Sequence, residues 1–191
     1  MIYLLRHGQT QFNAEGRLQG HVDSDLTDKG ADQARAMGRA LCGLIDDPSD
    51  WRIAVSPLGR AQATAALVAE ALPGIRLDIE PRLIEVSFGA YDGSLRAELE
   101  AEYPGAFGPS GWTFRADMGE SYETTRSRVG DWLAGLPPEP DRKVIAVTHG
   151  ITGLVLRGVY ADLTLEEVVG MPAPQDAFFQ LKDGQITRIE A

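Results

Sequence analysis

The sequence predicts an α/β fold, a three-layer αβα sandwich with a mostly parallel central sheet. Short β-branched runs that end abruptly in polar, glycine-containing turns are typical of buried strands in such a sheet. Between these runs, apolar residues recur at helical spacing, and strands that alternate with helices indicate a layered α/β domain. The 191 residues, 43% of them hydrophobic, suit a single domain over residues 1–191 with a substantial core.

Six runs of the chain are predicted strands. Three of them lead directly into a polar turn, at residues 2–5, 53–55 and 144–147. Three weaker candidates lie at 75–79, 177–181 and 185–189. The last two flank Asp183-Gly184, a dipeptide typical of hairpin turns, so we expect these two strands to pair.

Three apolar stripes predict helices between the strands. The first covers 34–45, including Leu44, and follows Thr27, a candidate N-cap. The second covers 61–72, and Pro57 is placed to open it. The third covers 129–136 and is closed by Pro137. These helices would form the outer layers of the sandwich.

Residues 88–119 have a different composition, rich in glycine, proline and aromatic residues. We expect a short inserted cap of loops around one short helix. Four aromatic side chains of this segment suit a partly apolar substrate body: Phe88, Tyr91, Trp112 and Phe114. Arg96 or Arg115 would suit a second anionic group. Packing or surface roles explain all six equally well, so the sequence leaves them open.

The charge balance excludes two classes of partner. Lys and Arg total 18 against 28 Asp and Glu, a net charge of −10. Nucleic acids and membrane surfaces are polyanions that reward basic stripes, so we expect neither as a partner. An acidic protein can still bind a small anion in a pocket where a few cations are concentrated. The sequence leaves the oligomeric state open.

We expect a cytoplasmic location for two reasons. The apolar start, residues 1–5, has no basic segment before it and is interrupted by Arg6, and no later apolar stretch is long enough to span a membrane. The single cysteine, Cys42, fits a reducing compartment. Because Cys42 lies in an apolar-patterned segment, we expect a buried structural thiol rather than a nucleophile.

Cationic and imidazole side chains follow three of the predicted strands: Arg6 and His7, Arg60, and His149. In open parallel sheets, ligands bind outside the carboxyl ends of the strands. Each histidine is followed by a glycine, which lets backbone approach a ligand and leaves an N–H available. Arg60 would lie in the first turn of a helix, whose N-terminus favours anions. One histidine near a strand end is usually structural, but this combination predicts a phosphoryl site.

The motifs extend along nearly the whole chain. They begin with Leu4-Leu5-Arg6-His7-Gly8-Gln9-Thr10 and Asn13. They continue with Arg17-Leu18-Gln19-Gly20, Leu26-Thr27, Gly30, Ser56-Pro57, Arg60-Ala61, Glu85, Phe88-Gly89, Asp92-Gly93, Gly119-Glu120-Ser121 and Thr148-His149-Gly150. In this order they resemble the histidine phosphatase superfamily, the phosphoglycerate-mutase-like family.

The resemblance implies a role for each matching residue. His7 would be the nucleophile that takes the phosphoryl group, and Glu85 the proton donor and acceptor. The remaining phosphate contacts would come from Arg6, Asn13, Arg60, His149 and Gly150. Gln19 and Gly20 would border a small phosphorylated substrate. This agrees with the chemistry, because phosphoryl transfer depends mainly on positioning and on cations around a charged transition state.

A metal-dependent phosphatase is the first alternative. His21, Asp23 and Asp25 form a His-x-Asp-x-Asp pattern whose side chains suit several divalent ions. The sequence shows no second ligand cluster, however, and Asp25 before Thr27 is typical of a helix start. We therefore expect no metal and no other cofactor.

Two further alternatives concern activity. A cofactor-dependent phosphoglycerate mutase of this family would carry a longer, basic insert and an Asn after the second His-Gly, where this sequence has Ile151. A catalytically silent binding module would need neither a nucleophile nor an acid, whereas His7 and Glu85 are both present. The sequence therefore favours phosphomonoester hydrolysis and leaves the physiological substrate open.

Overall fold

The computed structural model describes residues 1–104 and 119–191. Its strands are β1 (Ile2–Arg6), β2 (Arg52–Val55), β3 (Arg76–Ile79), β4 (Val144–Thr148), β5 (Ala177–Lys182) and β6 (Gln185–Glu190). They form one sheet in the order β3-β2-β4-β1-β5-β6. Strands β1 to β4 are parallel, whereas β5 is antiparallel to β1 and β6. All six predicted strands are confirmed, each end within one residue.

Seven α-helices lie in the described residues: α1 (Gln11–Glu15), α2 (Asp28–Cys42), α3 (Gly59–Ala69), α4 (Arg96–Glu102), α5 (Tyr122–Ala134), α6 (Gly150–Tyr160) and α7 (Leu165–Gly170). The three predicted helices are α2, α3 and α5. Thr27 is confirmed as the N-cap of α2, since its hydroxyl accepts from the Gly30 N–H at 3.1 Å. Within residues 1–104 and 119–191, no helix is both long enough and apolar enough to cross a bilayer.

The expected role of Pro57 is wrong. Leu58 has extended backbone angles (φ −75°, ψ 139°), so α3 begins only at Gly59. Leu58 is therefore the N-cap residue, and it makes no side-chain capping bond. Pro57 lies in the turn before the helix instead of at its first position.

The sheet separates two apolar layers. On one face, α2 and α3 pack on alternate residues of the strands, with Met37 fully buried. On the other face, α5 and α6 pack on the intervening residues, with Trp132 buried. Strand β4 shows the period of two, since Ile145 lies in the first layer and Ala146 in the second. The three-layer αβα architecture is confirmed.

The expectation for Cys42 is also wrong, because its thiol is exposed. Leu41 occupies the buried face of α2, and the next residue is turned about 100° around the helix axis. Cys42 is the last residue of α2, so no later turn covers it. Leu44 is likewise 44% exposed, because the helix has ended and its spacing no longer applies.

The predicted cap falls partly within the described residues. Residues 93–96 run alongside 16–18: the Gly93 N–H donates to the Leu18 carbonyl (2.6 Å), and the Arg96 N–H to the Gly16 carbonyl (3.0 Å). Helix α4 follows this pairing. Trp112, Phe114 and Arg115 lie outside the described residues, so the cap as a whole stays a prediction.

Candidate active site

The sheet order brings the two predicted histidines together. Because β1 and β4 are neighbours in register, Arg6 lies opposite Thr148, and the next residue on each strand is a histidine. The His7 N–H donates to the Thr148 carbonyl at 2.9 Å. The ring centroids of His7 and His149 are 5.1 Å apart. Strand β2 flanks β4, so the turn that leads to Arg60 lies at the same edge.

His7 presents a lone pair at Nε2. Its Nδ1 lies 2.8 Å from the Gly8 carbonyl, which can only accept, so Nδ1 carries the ring hydrogen. Burial, together with the nearby Arg6 and Arg60 guanidiniums, lowers the pKa of His7 well below its usual range. The ring is therefore neutral, with an unprotonated Nε2.

The glycine after His7 has a packing role that the sequence did not predict. A Cβ on Gly8 would lie 2.2 Å from the Gly30 carbonyl oxygen, so the turn can pass the start of α2 only without a side chain. The expected free N–H is wrong at this position, since the Gly8 N–H donates to the Thr64 hydroxyl at 3.1 Å. At Gly150, a Cβ would lie 3.5 Å from the Arg6 guanidinium.

Arg6 is held by the segment that leads into β5. Its Nη1 donates to the Ala173 carbonyl at 2.6 Å, and its buried Nε has no partner. Burial is the main cause that lowers the pKa of Arg6 from its usual value, and Arg60 adds to it. Arg6 is thus an anchored cation whose buried Nε–H is uncommitted.

Arg60 is buried, and its guanidinium is held by hydrogen bonds to the loop that begins at Gly20. Its Nη2 donates to the Gly20 carbonyl (2.8 Å), and its Nη1 to the Val22 carbonyl and to Asp23 Oδ1 (both 3.0 Å). Its Nε has no partner. The prediction that the N-terminus of α3 is open to an anion is wrong, because Asp23 accepts from the Gly59 and Arg60 N–H groups.

His149 is 1% exposed and is bonded on one side only. Its Nε2 lies 2.6 Å from the hydroxyl of Ser56, whereas its Nδ1 has no partner. Burial, followed by the charges of neighbouring groups, lowers the pKa of His149 well below its usual range. Like His7, it is neutral near pH 7.

Unpartnered polar atoms concentrate in this cluster. Five buried side-chain atoms within the described residues have no hydrogen-bond partner, and four belong to predicted site residues: Arg6 Nε, Gln19 Oε1, Arg60 Nε and His149 Nδ1. Buried polar groups are otherwise almost always paired. Two guanidinium N–H groups beside two neutral imidazoles can accept an anion of phosphoryl size.

Glu85 lies at the same edge, against the start of α6. Its carboxylate accepts from the Thr152 N–H (2.9 Å), the Val86 N–H (3.0 Å) and the Ile151 N–H (3.2 Å). The Thr152 hydroxyl lies 3.1 Å from Glu85 Oε1, the oxygen that also accepts from the Thr152 N–H. Glu85 is thus fixed against the first turn of α6, which follows His149 directly, and its exposed fraction is 8%.

Asn13 and Gln19 are both tied to Thr10, the N-cap of α1. Asn13 Oδ1 accepts from the Thr10 N–H (3.3 Å), and the Gln19 amide donates to the Thr10 hydroxyl. Gly20 has φ +53°, and a Cβ there would collide with Asp92. The structure therefore gathers all the predicted site residues along one edge of the sheet.

The family model for the histidine phosphatase superfamily (branch 1) matches residues 2–184. The chain belongs to the histidine phosphatase superfamily. The resemblance found in the sequence is confirmed over nearly its full length.

Relatives within the superfamily carry different activities in their names. A probable phosphoglycerate mutase GpmB of Enterobacter sp. (strain 638) is 32% identical over 199 residues, 99% of this chain and 84% of the relative. The mycobacterial glucosyl-3-phosphoglycerate phosphatase complexed with VO3 is 26% identical, with a TM-score of 0.78 over 99% of this chain and 96% of that one. The α-ribazole phosphatase from Shigella flexneri is 25% identical, with a TM-score of 0.77 over 99% and 94%. These similarities support a phosphatase or mutase and do not separate the two.

His21 and Asp23 of the possible metal pattern have different partners. His21 Nε2 lies 2.8 Å from the Glu85 carbonyl oxygen, and Asp23 is bonded to Arg60 and the start of α3. Across residues 1–104 and 119–191, no three His, Cys, Asp or Glu side chains are grouped as metal ligands would be. The described geometry therefore gives the metal alternative no support.

Sequence reasoning missed several residues that hold the site. Ser56 bonds His149, Thr64 bonds Gly8, and the Gln175 amide donates to the His7 carbonyl (3.2 Å) and to Asn13 Oδ1 (2.9 Å). Arg128 is paired with Glu120 and reaches the Thr152 hydroxyl at 3.2 Å. Only the Ser-Pro motif gave a signal for Ser56; nothing local in the sequence marked Gln175.

Proposed function

We propose that this protein is a metal-independent phosphomonoester hydrolase that acts on a small phosphorylated metabolite through a phosphohistidine at His7. One observation carries the proposal: a neutral His7 with a free Nε2 lone pair lies among the unpartnered nitrogens of Arg6, Arg60 and His149. Nucleophile and anion site are thus adjacent, as phosphoryl transfer requires.

In the first step, His7 Nε2 attacks phosphorus and the bond to the leaving oxygen breaks. The guanidiniums of Arg6 and Arg60 bind non-bridging oxygens, where they stabilise the charge of the transition state. Glu85 in its protonated form gives its proton to the leaving alkoxide, a strongly basic group that cannot depart unaided. The products are an alcohol, an ionised Glu85 and phosphohistidine.

In the second step, water attacks the phosphohistidine and the N–P bond breaks. Glu85 takes a proton from the attacking water, so it returns to its starting form. Inorganic phosphate leaves, and His7 is again neutral. No further group is consumed, which fits a hydrolase that needs no cofactor.

Phosphoglycerate mutase is the second candidate, favoured by the name of the 32% identical relative. Two features of this chain support hydrolysis instead. Ile151 replaces the Asn of the mutase pattern, and its N–H is committed to Glu85. The insert at 88–119 is also short and carries few cations.

A panel of phosphomonoesters, including both phosphoglycerate isomers, tests the proposal with a chelator present throughout. We expect release of inorganic phosphate, ranked by kcat/KM, with no isomerisation at a comparable rate. We also expect acid-labile, base-stable labelling by substrate phosphate, and both signals should vanish in His7→Asn while thermal unfolding shows an intact fold. Efficient isomerisation with little phosphate release would identify a mutase, and a labelled His7→Asn protein would remove the covalent mechanism.

A further inference from the structure

Ser56 has no part in the steps above, although it touches a residue that does. It is fully buried where β2 ends, and its hydroxyl oxygen lies 2.6 Å from His149 Nε2. The same oxygen accepts from the Leu58 N–H at 3.3 Å. Within the described residues these are the only partners of the Ser56 hydroxyl.

The hydrogens of this contact can be counted. A serine hydroxyl has one hydrogen and two lone pairs, and the Leu58 N–H occupies one lone pair. If Nε2 carried the ring hydrogen, the hydroxyl would accept twice and its own buried hydrogen would have no acceptor. If the hydroxyl donates to Nε2, that hydrogen is used and His149 Nδ1 carries the ring hydrogen. The first arrangement leaves two buried groups unpaired, the serine hydrogen and the His149 Nδ1 lone pair, whereas the second leaves only the Nδ1–H, to which an anion in the site can bind. Since unpaired buried polar groups are rare, the second arrangement is favoured.

We propose that Ser56 is a positioning residue that fixes His149 in the tautomer with hydrogen on Nδ1, so that His149 offers the phosphoryl group a neutral N–H donor. The inference rests on the proposed function for the identity of the ligand. It gives the unpartnered Nδ1 a defined chemistry, because this atom becomes a buried donor that awaits an acceptor.

The two histidines then have complementary tautomers. His7 donates a hydrogen bond from Nδ1–H to the Gly8 carbonyl, which leaves the Nε2 lone pair available. His149 accepts at Nε2 and exposes the Nδ1 hydrogen, with the two rings 5.1 Å apart. One ring can attack phosphorus while the other binds an oxygen. His149 has no lone pair left to act as a base, so proton transfer falls to Glu85.

Nuclear magnetic resonance of protein labelled with ¹⁵N-histidine tests this near neutral pH without ligand. Hydrogen on Nδ1 and a bare Nε2 are expected for His149, whose signals are assigned by their loss in His149→Asn. Ser56→Ala should allow the Nε2–H tautomer to appear and should lower kcat/KM by roughly tenfold or more. Ser121→Ala is the matched control, since Ser121 caps α5 through the Thr124 N–H and does not touch His149. It should keep both the tautomer and the activity.

Hydrogen on Nε2 of His149 in the unmodified protein would overturn the proposal. An unchanged tautomer in Ser56→Ala would remove the role of Ser56. Both tautomer measurements are independent of turnover, so they stand even if no phosphomonoester is hydrolysed. Conversely, absent phosphate release would refute the proposed function and leave the measured tautomer intact.

Discussion

At the scale of single residues, Glu85 combines two tasks. As a proposed proton donor it must change its protonation during the reaction. As a structural group it accepts from the backbone N–H groups of Val86, Ile151 and Thr152, and so ties its loop to the start of α6. Glutamine has the same size but only one acceptor oxygen, so one backbone N–H must lose its partner. That loss costs about 1–3 kcal/mol of stability, whatever the substrate.

The leaving group separates these two tasks. In Glu85→Gln we expect kcat/KM to fall on the order of a hundredfold for an alkyl phosphate, the usual scale of general acid catalysis. The loss should be much smaller for p-nitrophenyl phosphate, whose phenolate leaves without a proton. Arg60→Ala is the comparison, because it serves the phosphoryl group and should slow both esters by similar factors. An equal loss for both esters in Glu85→Gln would make Glu85 a structural residue.

The site residues that could be placed without the family resemblance follow the predicted strands. Arg6, His7 and His149 could be predicted because a buried run ends directly before them and parallel strands end at one edge. Ser56 and His149 are 93 positions apart, and Gln175 and Asn13 are 162 apart. Such pairs depend on side-chain directions after the chain has folded, and no spacing in the sequence encodes them.

At the scale of elements, the start of α3 shows why a general rule failed. A free helix N-terminus attracts anions, and here the anion is the Asp23 side chain of the same chain. In the sequence, Asp23 stood out only as one member of a possible metal-binding pattern. Asp23 also binds the Arg60 guanidinium. One carboxylate therefore both orients this cation and occupies the N–H groups at the start of α3.

The connection from α7 to β5, residues 171–176, holds the other side of the site. Arg6 donates to the Ala173 carbonyl, and Arg157 to the Pro172 carbonyl at 2.5 Å. The Arg157 guanidinium carbon lies 3.9 Å from the centroid of the Phe179 ring, and burial lowers the pKa of Arg157 to about 10. Gln175 completes the connection, since its two amide hydrogens go to His7 and Asn13.

Gln175 should act on catalysis through Asn13. Asn13 Oδ1 already accepts from the Thr10 N–H, so the Gln175 bond keeps the Asn13 amide nitrogen turned toward other partners. We expect Gln175→Met to lower kcat/KM about tenfold, the scale of one hydrogen bond. In an Asn13→Ala background the same change should cost less, because only the bond to the His7 carbonyl is then left to lose, and a double-mutant cycle measures the difference. Gln180→Met, which removes bonds to Tyr3 and Met1, is the control with unchanged activity. Fully additive losses would contradict this coupling.

At the scale of the whole molecule, an acidic protein encloses a cationic pocket. The chain carries a net charge of −10, yet the buried Arg60 and the partly buried Arg6 lie near two neutral histidines. Keeping those histidines unprotonated makes His7 a competent nucleophile and avoids two more positive charges in a site that already holds two guanidiniums. The same arrangement has a consequence for folding stability.

Stability should fall on the acid side because of these two residues. The pKa of His7 and of His149 is lowered well below 6.5 in the folded protein, mainly by burial, whereas the unfolded chain has ordinary values. Below about pH 6.5 the unfolded state therefore binds more protons, so the free energy of unfolding decreases as the pH falls toward the folded pKa values. Each histidine contributes a slope of up to about 1.4 kcal/mol per pH unit in that window.

Denaturant unfolding between about pH 5 and 7 measures this slope, within the range where histidine normally titrates. His7→Asn and His149→Asn should each reduce it by up to about 1.4 kcal/mol per pH unit, most strongly at the acid end, because asparagine takes up no proton on unfolding. Thr164→Ala is the matched control: it removes the capping box of α7, whose bonds lower the pKa of Glu167 further below this pH range, so it should lower stability by nearly the same amount from pH 5 to 7 and leave the slope nearly unchanged. If either histidine variant kept the original slope, the pKa of that histidine would not be lowered on folding; for His7, this would remove the support for the neutral nucleophile on which the proposed chemistry depends.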